Sequence, residues 1–179
     1  GGDFPSVAVR DLAIHPRDND LVIATHGRGM WIIDDITPLR ALTPTTLASD
    51  VVFMRSRPTV LKILSLGGWA NGDASYVGNN SPDAAVITYY LKKRHIFGDM
   101  KIDVLDASGK VVGSLPTAKR RGLSRITWAM RLPPPKVPPA ASAAFGAAYG
   151  PRVLPGTYSL RMTKDEKVWL EEHFQDQVF

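Results

Sequence analysis

Two adjacent acids, Asp34 and Asp35, are the residues whose type most readily suggests catalysis, because a pair of carboxylates hydrolyses a glycosidic bond. Their spacing works against it. In an extended segment neighbouring side chains point to opposite faces, so the two acids cannot flank one bond together. His15 and His26 are possible metal ligands, but each stands at the end of an apolar run with no third ligand at a defined interval. Hydrogen-bonded turn histidines are the simpler reading. Gly27-Arg28-Gly29 has two glycines of a dinucleotide loop without the third glycine or a following helix. No serine stands in a nucleophile elbow, no His-Glu-x-x-His occurs, and the 179 residues include no cysteine. No catalytic residue, metal or cofactor is therefore expected. Binding chemistry is better represented, since sugar rings stack on exposed aromatic faces. Trp69 and Tyr76 lie in a glycine-rich stretch and are the candidate carbohydrate-binding residues, with Tyr89, Tyr90, Tyr149 and Trp169 as further aromatics.

The elements that must position these residues are β throughout. Val7, Val9, Leu12 and Ile14 lead into the turn His15-Pro-Arg-Asp-Asn-Asp20; Leu21 to Thr25 is a β-branched run; Gly27 and Gly29 break it before Met30 to Ile33. This predicts a three-stranded meander. The order of apolar strand, His-Pro-x-Asp-x-Asp turn, apolar strand, Thr25-His-Gly-Arg-Gly-x-Trp31 and a strand ending in Asp resembles the blade unit of sortilin-type β-propellers and the related BNR (Asp-box) glycosidase-like proteins. In that family the third strand runs into Ser-x-Asp-x-Gly-x-Thr-Trp. Here the matching place reads Ile33-Asp-Asp-Ile-Thr-Pro-Leu39, which keeps one acid. The resemblance implies a last, decaying blade, with Asp35 as the box residue that ties a turn and Gly27 and Gly29 as turn glycines.

After Asp35 the pattern changes. Thr37-Pro38 and Thr43-Pro44 each place a hydroxyl before a proline, predicting two short helical turns capped by those threonines. Val51 to Met54 and Thr59 to Leu66 read as strands, and the stretch from Gly67 to Asp83 as a long loop. The strand signal then returns at Ala85 to Leu91, Lys101 to Leu105, Arg125 to Leu132 and Thr157 to Met162. In the third of these Ile126, Trp128, Met130 and Leu132 share one face, and Arg125, Thr127 and Arg131 the other. Antiparallel strands with short turns and one wet face predict a sandwich, with Trp128 in its core. Val104-Leu-Asp-Ala-Ser-Gly-Lys-Val-Val112, Gly122-Leu-Ser-Arg-Ile-Thr-Trp128 and Pro155-Gly-Thr-Tyr-Ser-Leu-Arg-Met162 are similar to the immunoglobulin- or fibronectin-III-like domain of the flagellar hook-capping protein. Such a domain follows the propeller in many bacterial members of the BNR and sortilin-like group.

The expected fold is thus all-β: a blade-like meander over residues 1–40, a connecting segment over 41–83, and an antiparallel sandwich over 84–179 with a Pro/Ala-rich insert at 133–155. The resemblance implies a non-catalytic C-terminal accessory region of a larger exported propeller protein whose N-terminus and signal peptide lie outside this sequence. Its partner would be the rest of that propeller, with a glycan, another protein or a second copy as further partners. The alternatives are a carbohydrate-binding module and a piece of a glycoside hydrolase whose site lies in other blades. The net charge of +5 is mild, and the two basic triplets, Lys92-Lys93-Arg94 and Lys119-Arg120-Arg121, read as solvated charge at strand edges. No nucleic-acid or membrane partner is expected from them, and no apolar run approaches the roughly 20 residues of a spanning helix.

Overall fold

A computed structural model describes residues 4–61, 82–134, 136 and 149–175 of the chain. It is all-β and antiparallel, and it divides into two units, Gly1–Leu47 and Ala48–Phe179.

In the first unit β1 (Val9–Ile14), β2 (Leu21–Thr25) and β3 (Met30–Ile33) form a meander in the order β1-β2-β3. The first turn is closed by two backbone bonds, His15 N to Asp20 O at 2.8 Å and Asn19 N to His15 O at 2.9 Å, with Asn19 in the left-handed region at φ 54°. The second turn takes Gly27 and Gly29 to φ 75° and 72°, values a side chain would strain, which is why the sequence has glycine there. Register then fixes the faces. Leu12, Ile23 and Trp31 stand in one row, and Ile14, Leu21 and Ile33 in the next row of the same face; Ala13, Val22 and Ile32 stand on the other. Both faces are apolar. Two short helices follow, α1 (Thr37–Arg40) and α2 (Pro44–Ala48). Thr43 caps α2, its hydroxyl accepting the Thr46 amide at 3.2 Å. Thr37 is no cap: α1 starts from Ile36 without a side-chain cap, and the Thr37 amide itself donates to Asp35 Oδ1 at 3.1 Å.

The second unit is a sandwich. One sheet has the order β4-β5-β8, from Val51–Met54, Ala85–Leu91 and Gly122–Trp128; the other has β10-β9-β6-β7, from Lys167–Gln175, Thr157–Lys164, Met100–Leu105 and Val111–Leu115. The core lies between them: Val51, Phe53, Ala85, Ile87, Tyr89, Leu91 and Trp128 from one sheet meet Met100, Ile102, Val104, Val112, Tyr158, Leu160 and Met162 from the other. Strand alternation selects these residues, since every second side chain of β5, β6 and β9 points inward. Trp128 packs edge-on against Tyr158, with ring centroids 5.1 Å apart. Tyr158 sends its hydroxyl back to Leu154 O at 2.6 Å, the tyrosine-corner arrangement of immunoglobulin-type sandwiches.

Several boundaries differ from the sequence expectation. The division falls after Leu47, and Val51–Met54 pairs with β5 as an edge strand of the sandwich. Thr59, Val60 and Leu61 are outside any strand, and the rest of that expected strand lies outside the described residues. The strand expected to run to Leu132 stops at Trp128, because Met130 turns to φ 53°; Met130 stays buried while Leu132 is exposed. Beyond it, Leu132 N to Pro151 O and Val153 N to Met130 O, both 2.9 Å, zip together the two ends of the Pro/Ala-rich insert.

Candidate functional site

Two carboxylates of the meander, Asp20 and Asp35, are spent on its geometry. Asp20 Oδ1 accepts the Asp35 amide at 2.9 Å, and Asp35, buried and at φ 47°, accepts the Thr37 amide. This pins the chain leaving β3 to the β1–β2 turn. His15 Nδ1 accepts the Asp18 amide at 3.1 Å, a turn role. His15 and His26 sit at opposite ends of the β1–β2 ladder, since Ile14 pairs with Leu21 and Val9 with Thr25. They cannot share a metal, and among the described residues no three His, Asp or Glu side chains form a group that would hold one.

Of the aromatics, Trp69 and Tyr76 lie outside the described residues. Tyr89 and Tyr90 are buried, which removes them from any exposed binding face; Tyr89 is in the core with its hydroxyl bonded to Ala118. Tyr149 is exposed, with the Arg131 guanidinium over its ring at 5.6 Å from the centroid. Trp169 is half-buried on β10 and packs against the core. No family model, curated protein or solved structure matches this chain.

A cleft of about 420 Å³ lies at the β9–β10 turn, lined by Trp169, Asp50, Lys164, Asp165, Glu166 and Lys167. Its size is that of a small-molecule site. An indole beside carboxylates and ammonium groups can hold a polar ring by stacking and hydrogen bonding. Beneath the turn lies His95, buried, with its Nε2 3.8 Å from Asp165 Oδ1 and without a hydrogen-bond partner. Along the sequence Trp169 is one aromatic among several, because the residues around it come from two distant segments, Asp50 and the β9–β10 turn.

The other polar cluster is on the outer face of the four-stranded sheet. Asp103 is 1% exposed and accepts from Ser114 Oγ at 2.6 Å and Arg161 at 3.2 Å, with Lys101 Nζ at 3.0 Å. Burial pushes its carboxyl upward, but the bonds from Ser114, Lys101 and Arg161 outweigh that and hold it below the usual range. Asp103 pairs across the sheet with Ser114 on β7 and Arg161 on β9, so the cluster ties three strands together.

Proposed function

We propose that the chain is a non-catalytic accessory region of a larger exported propeller protein resembling the BNR and sortilin-like group, with residues 9–33 as a terminal blade and the sandwich as a buttressing domain. The observation that supports this is the two-sided apolarity of the meander. Leu12 and Ile33 on one face and Met30 and Ile32 on the other are exposed. An antiparallel sheet with one solvated face alternates apolar and polar residues, whereas Leu21 to Ala24 and Met30 to Ile33 run apolar without alternation, as strands packed on both faces do. Neighbouring sheets stacked about 10 Å away on either side would satisfy both faces. The test is hydrogen exchange on the product of the complete reading frame beside the 179-residue chain. Amides of residues 9–33 should gain protection in the longer protein, and unchanged exchange there would defeat the proposal.

A carbohydrate-binding role is the second reading, favoured by the cleft at Trp169. Titration with a panel of mono- and oligosaccharides, followed by tryptophan fluorescence, should show saturable quenching that Trp169→Ala removes.

A further inference from the structure

Leu91, the last residue of β5, pairs with Gly122, the first of β8. The triplet that follows Leu91, Lys92-Lys93-Arg94, and the triplet that precedes Gly122, Lys119-Arg120-Arg121, are therefore brought to the same end of the sandwich. A backbone bond from His95 N to Lys119 O at 2.9 Å ties the two segments, and Lys119 Nζ reaches Gly98 O at 3.0 Å. Tyr89 holds Ala118 from below, and Asp165 N bonds Asp99 O at 3.0 Å, so the loops are fixed to the core and to each other. Lys93, Arg94, Arg120 and Arg121 are exposed and have no carboxylate within ion-pair reach among the described residues. The β9–β10 turn is neutral in itself, Lys164 and Lys167 against Asp165 and Glu166. Its Asp165 carboxylate lies 3.8 Å from His95 Nε2, next to the first triplet.

Between the first triplet and Gly98 stand Ile96 and Phe97, which are 64% and 85% exposed. Two large apolar side chains held in water on a tethered loop, within a collar of cations, match one kind of partner in both respects. Heparin or duplex DNA would satisfy the cations and leave Ile96 and Phe97 without a gain, and a single strand would stack a base on Phe97 but offer nothing apolar to Ile96. A bilayer with anionic headgroups supplies negative charge at its surface and an apolar boundary a few ångströms below it. We infer that this end of the sandwich docks on an anionic lipid surface, with Ile96 and Phe97 entering the headgroup boundary and the triplets lying against the phosphates. The association is peripheral, and it is independent of the propeller reading.

The 179-residue chain should co-sediment with vesicles of phosphatidylcholine plus phosphatidylglycerol and not with phosphatidylcholine alone. Added salt should release it, because exposed charges are screened within about 10 Å at 0.1 M. Arg94→Glu with Arg120→Glu should lower the partition coefficient at least about tenfold, since each basic residue near such a surface counts for severalfold in affinity. Phe97→Ser should lower it without altering the salt dependence. Phe97→Trp should show a blue-shifted emission on adding the anionic vesicles, and this probe keeps the test valid if charge reversal disturbs folding, which thermal unfolding of each variant reports. Absence of binding to the anionic vesicles, or equal binding to both compositions, would overturn the inference. So would binding to heparin or duplex DNA that Phe97→Ser leaves unchanged while vesicles are ignored, which would make the patch a soluble-polyanion site.

Discussion

The hydroxyl of Tyr89 lies 2.9 Å from the carbonyl oxygen of Ala118 and 2.7 Å from its amide nitrogen, so one core side chain satisfies both backbone groups of a residue 29 positions away. The fold of one sheet and the conformation of the loop before β8 are thereby joined. Tyr89→Phe keeps the packing and orphans both groups, at a cost of about 1 to 3 kcal/mol. Urea unfolding should show that loss, and hydrogen exchange should quicken at residues 116–121. Burial pushes the Tyr89 phenol up from 10.0, against the opposing bond to Ala118. Since the folded value is the higher one, this contribution to stability is complete below the unfolded phenol's value and declines as pH rises through the folded value. The alkaline limb of the stability profile should therefore be shallower in Tyr89→Phe.

This bond also marks where the sequence stops being readable. The strands themselves are visible, because alternation and β-branching are local, as in Ala85 to Leu91 and Thr157 to Met162. Which of Tyr89 and Tyr90 points into the core is a matter of register with β4 and β8, and register depends on residues far away in sequence. The same non-local pairing, Leu91 with Gly122, brings together two basic triplets that look unrelated along the chain. The end of β8 is hidden for another reason: Met130 takes a positive φ without being glycine, so no punctuating residue announces that the strand has ended. At the meander the sequence shows Asp35 as a turn residue, but its tether to Asp20 depends on β3 returning beside the first turn.

Asp103 should contribute to the acid limb. Its folded pKa is depressed, so its contribution is present above the unfolded value of 3.8 and is lost as pH falls through the folded value. Asp103→Ala should cost about 2 to 3 kcal/mol at neutral pH, the scale of hydrogen bonds to a charged group. The difference between wild type and variant should shrink in acid, as followed by circular dichroism across a pH series.

Trp128 and Thr127 are neighbours on β8 with opposite fates, the first buried against Tyr158 and the second exposed. Trp128→Ala should cost about 3 to 5 kcal/mol, enough to unfold the sandwich or nearly so. Thr127→Ala should stay within about 0.5 kcal/mol. Comparable losses at both positions in thermal unfolding would contradict the register of β8 against β5.

Asp35 combines two demands, a carboxylate that accepts the Thr37 amide and a backbone at φ 47°. Asp35→Gly removes the first demand and relaxes the second; Asp35→Ala removes the first and strains the second. The alanine variant should be the less stable of the two by about 1 kcal/mol. Asp20→Ala should resemble Asp35→Gly, because it frees the same stretch from the opposite side. If alanine and glycine at position 35 give equal stabilities, the left-handed backbone there is not a constraint.

Leu12 lies on one face of the meander beside Ile23 and Trp31, and Ile32 on the other beside Val22 and Ala13; both are largely exposed. Because neither is packed, Leu12→Ser and Ile32→Ser should each change stability by no more than about 0.5 kcal/mol. Their effect should appear in association instead. Apolar patches of this kind promote self-contact, so the wild-type chain should show concentration-dependent light scattering and bind an anilinonaphthalene dye, and each substitution should reduce both. A two-fold dimer of the chain uses one self-complementary patch and would respond at one face only. Sheets that need a neighbour on each side respond at both, and the reductions should add in the double variant. A loss of several kcal/mol from either substitution would mean that its face is already covered within the fold, and with it the reason for seeking a neighbour there would disappear.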